Sequence, residues 1–166
     1  MPQLSFRTSL LDALTLSEEG GAIVAIDWGW ARDQAETPLL LRARDQLEEY
    51  LDGEREVFDL PLAPHGTPYR QRVWQALLAI PHGEVRTYAD IATIAGGSAR
   101  SVGRANGDNP IPIIIPCHRV VAAAGRGGYS GGDGLETKLR LLHLEGAPVP
   151  NHHAPQPTMP CGDLLE

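Results

Sequence analysis

The sequence predicts an α+β chain: a small α/β unit over residues 1–62, a mainly helical unit over 67–146, and a Pro/His-rich tail over 147–166. Three observations predict it. Short apolar stretches of strand length, separated by turn residues, crowd the N-terminal part. Thr-Pro pairs at Thr37–Pro38 and Thr67–Pro68 start helices, because a threonine N-cap accepts from an orphan N–H and a proline at the first helical position has none to satisfy. Between them, "DLPLAPHGTP" (Asp59 to Pro68) is dense in proline and turn residues and marks a boundary.

In order, strands are expected at about 4–8 and 10–16, then a "SEEGG" turn, then "AIVAIDW" as a buried strand. The helix opened by Pro38 turns Leu40, Leu47, Tyr50 and Leu51 inward and is stopped by Gly53. Nothing in this unit points to catalysis. The helix opened by Pro68 puts Val73, Trp74, Leu77 and Leu78 on one face and ends at "PHG" (Pro81 to Gly83). Thr87 and Asp90 have the spacing of a capping box for the short helix "YADIATIA". Gly96 and Gly97 make a tight turn, and Ser98 caps a second helix running to about Ala105. Such a pair suggests a helix-turn-helix whose second helix offers Arg100 and Arg104 to DNA, although the pair by itself is a weak signal. Ile113 to Ile115 read as a short apolar strand cut off by Pro116. A glycine-dense loop, Gly125 to Gly134, leads to a last helix, "LETKLRLLHLEG", with Leu135, Leu139 and Leu142 on its buried stripe. The tail has no period and is expected to be unstructured. There is no internal repeat.

A composition 42% hydrophobic and 21% charged is that of a globular protein with a real core. Asp12 interrupts the most apolar part of the N-terminus, so no secretory signal is expected, and no run approaches the roughly 20 apolar residues of a membrane helix. Two cysteines, one of them Cys161 near the end, give no disulfide framework and fit a reducing cytoplasm. The net charge of −7 argues against non-specific coating of nucleic acid, yet it hides an asymmetry. Residues 1–66 hold 13 acids and 5 arginines, whereas residues 67–146 hold 9 basic residues against 6 acids. The second unit can meet a polyanion that the first repels.

"NPIPIIIPCHRVV" places Cys117, His118 and Arg119 in a row. A neighbouring imidazole or cation lowers a thiol from its ordinary value near about 8.5 and creates a soft nucleophile. Residue type alone fits a buried structural cysteine better. Position weighs the other way, since a proline, a thiol and two ionisable residues at the end of an apolar run describe a rim more than a core. Successive side chains diverge on a strand and on a helix alike, so Cys117 and His118 are poorly placed for a direct bond and a water-bridged relay is more natural. His118 then needs an orienting carboxylate. Glu145 is a candidate, because the end of a helix disfavours a negative charge unless something else holds it there; an ordinary solvated glutamate fits as well. The glycines of 125–134 would let backbone approach a flat ligand, with Tyr129 and Ser130 beside it, or would simply make a surface loop. No Lys-Ser or Lys-Thr pair follows them, which disfavours phosphate cradling. His65, His82, His143, His152 and His153 lack paired-cysteine spacing, and no metal site is expected.

Taken together, "GEVRTYADIA", "ARSVG", "NPIPIIIPCHRVV", "GGYSGG" and "LLHLEG" resemble the O6-alkylguanine-DNA alkyltransferases, the methylated-DNA-protein-cysteine methyltransferases. The resemblance covers about Thr67 to Gly146, and residues 1–62 are compatible with that family's ribonuclease-H-like domain. It implies a winged-helix/helix-turn-helix domain that binds double-stranded DNA through the minor groove and flips an O6-alkylguanine from the stack. Cys117 would be the alkyl acceptor, His118 its water-mediated base and Glu145 the orienting carboxylate. Asn109 would be the hinge to the recognition helix. Tyr88 would donate to the guanine ring and help rotate the nucleotide, Arg100 would fill the vacated stack with Arg104 on the same helix, and Arg119 would brace the site. Tyr129, Ser130 and backbone groups of Cys117 and Val120 would line the guanine pocket. The product would be a thioether with no route back, so each molecule would act once, as a cytoplasmic monomer without a cofactor. O4-alkylthymine is a further possible substrate.

Two features depart from the family pattern: the turn "GGSAR" is compact and the loop from Val121 to Tyr129 is short. No cysteine-histidine set for an N-terminal zinc is present, and Cys161 has no counterpart. Two rival readings stay open on the residues alone. A cysteine hydrolase with a Cys-His-Glu relay would turn over, and a non-enzymatic helix-turn-helix regulator would form no adduct.

Overall fold

The computed structural model describes residues 1–123 and 134–148. Tyr129, Ser130 and the tail beyond residue 148 lie outside the described residues. The chain forms two compact units, Met1–His65 and a second that begins at Gly66.

In the first unit, strands β1 (Gln3–Thr8), β2 (Asp12–Glu19) and β3 (Ala22–Trp28) make an antiparallel sheet in that order. The second strand starts and ends later than the sequence suggested. Thr8 Oγ1 accepts from the Leu11 N–H at 2.8 Å and donates to the Asp12 carbonyl at 2.9 Å. This closes a three-residue turn and leaves Asp12 at φ 67, a conformation aspartate tolerates. At the other end the turn contracts to Gly20 and Gly21, both at positive φ, which suits a two-residue hairpin turn.

The pairing aligns Leu4 with Leu16, Phe6 with Leu14, and Leu16 with Ile26, so these residues share one face. Helix α1 (Pro38–Leu51) contacts this sheet and buries Leu40, Ala43, Leu47 and Tyr50. The other face is polar yet covered. Ser5 and Thr15 hydroxyls meet at 2.7 Å, Thr15 donates to the Gly29 carbonyl at 2.8 Å, and the Gln34 amide donates to Ser5 at 2.9 Å. Thr37 caps α1 as expected, accepting from the Leu40 N–H, and its hydroxyl bonds the Glu18 carboxylate. Residues 61–63 add to β3 through Ile23, whose N–H donates to the Pro61 carbonyl at 2.8 Å.

In the second unit, α2 (Pro68–Leu78) is capped by Thr67 and buries Val73, Trp74, Ala76 and Leu77. Leu78, expected inside, is 39% exposed: the helix ends there, and Ile80 is buried just beyond it. The short strand β4 (Arg86–Thr87) leads into α3 (Tyr88–Ala95), and α4 (Ala99–Gly107) follows the glycine turn. Both helices carry the capping geometry read from Thr87/Asp90 and Ser98. Helix α4 runs two residues beyond the expected end at Ala105, closed by the Asp108 N–H on the Arg104 carbonyl at 3.0 Å.

The expected strand at Ile113–Ile115 is not a strand. Pro110, Pro112 and Pro116 have no N–H to give to a ladder, and the intervening donors turn inward on the chain itself. Ile114 N–H reaches Pro112, Ile115 N–H reaches Ile111 and Cys117 N–H reaches Ile115, at 2.8–2.9 Å. Ile113 sits at φ 74, and Ile111, Ile113, Ile114 and Ile115 are all buried. A 3-10 turn, Cys117–Arg119, then delivers the chain to β5 (Val120–Val121), which pairs in parallel with β4. No pattern in the sequence anticipates this two-residue pairing. Helix α5 (Leu135–Glu145) ends at Gly146, at φ 70. It buries Leu135, Leu141 and Leu142, while Leu139, expected on the stripe, is half-buried. Val85, Val121, Leu142 and Ala147 pack together where β5 and α5 meet.

Candidate active site

The proline-punctuated isoleucine run is a rigid support, buried and hydrogen-bonded to itself, and Cys117 stands at its end. Cys117 is 3% exposed and in no disulfide. In the 3-10 turn that follows, successive side chains diverge by about 120°. His118 therefore leaves in another direction, into the core, where it is fully buried.

There His118 Nε2 meets Glu145 Oε2 at 2.9 Å. The same carboxylate takes a forked pair from Arg119, Nε to Oε1 at 2.9 Å and Nη2 to Oε2 at 2.8 Å. The Gly83 N–H adds a longer contact to Oε1 at 3.4 Å. Four donors thus hold Glu145 at the C-terminal end of α5, where the helix dipole opposes it. A carboxylate gripped by a guanidinium stays ionised and can only accept, so the proton between it and the ring belongs to Nε2. Nδ1 is then the basic nitrogen. Among the described residues no protein group hydrogen-bonds Nδ1, which is buried. Burial, helped by the Arg119 and Lys138 charges, pulls the His118 pKa below the ordinary imidazole value of 6.5, against the opposing pull of Glu145. The ring is neutral near pH 7, with an available lone pair on Nδ1.

Arg119 also donates to the Ile80 carbonyl at 2.7 Å, tying the turn to the end of α2. Asn109 donates to the Ile115 carbonyl at 2.8 Å and accepts from the Ile111 N–H at 2.9 Å, so it fastens the exit of α4 to the isoleucine run. Three groups that the sequence reading missed join it. Asn106, buried on α4, donates to the Cys117 carbonyl at 3.3 Å. Trp74 Nε1 donates to the Ala105 carbonyl at 2.9 Å. Lys138, wholly buried, donates to the Val120 carbonyl at 2.6 Å. Lys138 had a signal: it lies three residues after Leu135, and Glu145 three after Leu142, so both charges fall on the buried stripe of α5.

Tyr88, the first residue of α3, is buried. On α4, Arg100 and Arg104 are both exposed, one turn apart, and among the described residues neither makes an ion pair. No group of three or more metal-ligating side chains occurs among the described residues.

The architecture and site define an α+β protein of two units, the second setting a helix-turn-helix beside a cysteine whose histidine neighbour is oriented by a carboxylate. Two family models match the chain: the ribonuclease-like domain of 6-O-methylguanine DNA methyltransferase over residues 5–64 and its DNA binding domain over residues 68–147. The constitutive methylated-DNA–protein-cysteine methyltransferase of Bacillus subtilis is 44% identical over 149 residues, 81% of this chain and 90% of that one. The Mycobacterium tuberculosis enzyme of the same name is 52% identical over 111 residues, 65% of this chain and 66% of that one. The crystal structure of Mycobacterium tuberculosis OGT in complex with DNA superposes with a TM-score of 0.78 at 40% identity, covering 89% of this chain and 96% of that one. The chain belongs to the 6-O-methylguanine DNA methyltransferase family.

Proposed function

We propose that the protein repairs double-stranded DNA by direct reversal, moving the alkyl group of an O6-alkylguanine irreversibly onto Cys117. The observation that carries this reading is the buried Cys117–His118–Glu145 row, with Glu145 fixing the tautomer that leaves Nδ1 basic. Water carries the thiol proton to Nδ1. The thiolate attacks the alkyl carbon, the S–C bond forms as the C–O6 bond breaks, and the electron pair stays on guanine. Tyr88 stabilises that leaving group by donating a hydrogen bond to the ring. The thioether product has no hydrolytic exit, so each molecule acts once.

Residues 67–146 form the DNA-binding and alkyl-transfer domain in this reading, and residues 1–62 the ribonuclease-H-like domain. Helix α4 enters the minor groove, Arg100 fills the space of the flipped nucleotide, and Arg104 contacts the same duplex. Tyr129 and Ser130, with backbone groups of Cys117 and Val120, receive the guanine. Asn109 and Arg119 hold the turn in place. The protein works as a cytoplasmic monomer and needs no cofactor, since the damaged base supplies the alkyl group.

Intact mass spectrometry after incubation with a duplex containing O6-methylguanine tests this. The expected result is a gain of one CH2 per molecule, mapped to Cys117 and absent in Cys117→Ala. An unchanged mass, or the same gain in Cys117→Ala, would refute it.

A further inference from the structure

The compact turn between α3 and α4 is held from outside the helix pair by Tyr69, near the start of α2. Its hydroxyl donates to the Gly96 carbonyl at 2.9 Å and lies 2.8 Å from Ser101 Oγ. Each hydroxyl has one proton, so with the Tyr69 proton on Gly96 the bond to Tyr69 takes the Ser101 proton, over the longer alternative of 3.1 Å to the Ser98 carbonyl. Ser101 Oγ in turn accepts from the Ser98 N–H at 2.9 Å, which is half of the capping box of α4. The result is a chain of donors, Ser98 N–H to Ser101 to Tyr69 to Gly96, running from the recognition helix back to the end of α3. Such chains strengthen cooperatively.

Two further contacts converge on the same spot. The Arg72 guanidinium lies over the Tyr69 ring, 5.3 Å from its centroid, and Arg72 Nε donates to the Ala95 carbonyl at 3.2 Å. The packing is tight. A Cβ on Gly97 would come within 2.4 Å of Ser101 Oγ and 2.5 Å of the Tyr69 hydroxyl, and Gly97 already sits at φ 81. The turn is therefore shaped around the Tyr69 hydroxyl, one residue before the first turn of α4 that carries Arg100.

We propose that Tyr69, acting through Ser101, is a positioning residue that presets the entry angle of α4 and hence the reach of Arg100 toward DNA. This rests on the reading above that α4 is the DNA-binding helix. Neither Tyr69 nor Ser101 belongs to the Cys117 row.

The test is a double-mutant cycle with Tyr69→Phe, Ser101→Ala and the double variant, read as Kd for an undamaged duplex and as the methyl-transfer rate at saturating protein. Tyr69→Phe loses both hydrogen bonds of the hydroxyl, and DNA binding is expected to weaken at least about fivefold. The double variant should be no weaker than the worse single one, because both act through one chain of bonds. The saturating transfer rate of Tyr69→Phe should stay near wild type, and its melting temperature should fall by no more than the few degrees that these hydrogen bonds are worth. Unchanged Kd in Tyr69→Phe overturns the proposal. So do additive losses, which would place Tyr69 against the DNA directly, and so does a parallel fall in melting temperature and transfer rate, which would make Tyr69 merely structural. Wild-type DNA binding without methyl transfer would refute the alkyltransferase reading and leave the Tyr69 result to be judged on Kd.

Discussion

Glu145→Gln is the sharpest perturbation of the site, because it keeps the shape and removes the charge. The carboxylate accepts three charge-assisted bonds of 2.8–2.9 Å, two from Arg119 and one from His118. A glutamine has one acceptor oxygen. If it takes the place of Oε1, the bonds from Arg119 Nη2 and His118 Nε2 are both lost and an NH2 group faces two donors. If it takes the place of Oε2, Arg119 Nε faces an NH2 group. In either case a guanidinium only 7% exposed is left without its counter-ion. Breaking a buried pair in this way costs about 3–5 kcal/mol. For a domain of this size that is a fall in melting temperature of about 12 °C or more.

Urea unfolding at pH 7.5 measures the stability term, with intrinsic tryptophan fluorescence as the signal. Methyl transfer, measured well below the variant's melting temperature, measures the chemistry. With the amide NH2 in the place of Oε2 the ring is driven to the other tautomer, and with the amide oxygen there a neutral acceptor stabilises the protonated ring less than the carboxylate does. The rate should fall at least about 100-fold. A loss under about 1 kcal/mol would show that the Arg119–Glu145–His118 cluster is not the electrostatic unit described above. A full transfer rate in a destabilised variant would show that Glu145 holds the fold but does not orient the base.

The depressed pKa of His118 makes both stability and rate depend on pH with a definite sign. The unfolded chain takes up the proton near 6.5 and the folded one only at lower pH, so stability is complete above 6.5 and is lost as pH falls toward the folded value. Urea titrations from pH 8 down should show this slope, and His118→Gln should lack it. The acid limb of the transfer rate should likewise have its midpoint below 6.5, and a midpoint above it would contradict a neutral buried base. Lys138→Met removes a buried cation close to His118 and frees the Val120 carbonyl. We expect the acid limb to move toward higher pH and stability to drop by about 1–3 kcal/mol from the lost charged hydrogen bond, as chemical denaturation would read.

Much of this protein was legible in its sequence, and the reason is local. Thr37, Thr67, Thr87 and Ser98 each act within three residues of themselves, so their caps are found where the residues predict. The errors arose where distant groups decide. The isoleucine run has strand composition, but alternate prolines withhold donors and the run folds on itself. The pairing of Arg86–Thr87 with Val120–Val121 joins segments more than thirty residues apart and is two residues long, too short for a periodic signal. Leu139 and Leu141 changed places because the buried face of α5 is set by Lys138 and Glu145, charged residues that an apolar count discards.

Those same discarded charges bear on how a buried thiol could serve as the proposed nucleophile. Burial alone favours the neutral thiol, so burying Cys117 would suppress its reactivity. Around His118, however, among the described residues the Arg119 and Lys138 charges both work against a proton on the ring, while Glu145 favours one. Cations near a buried thiol favour the thiolate, the form in which a cysteine attacks. Arg119 is tied to the Glu145 carboxylate, whereas Lys138 donates to the Val120 carbonyl and also acts on His118 through its charge. Its role is therefore electrostatic as well as structural. If Lys138 only propped the Val120 carbonyl, Lys138→Met would lower stability and leave the pH profile where it is; a displaced profile separates the two roles.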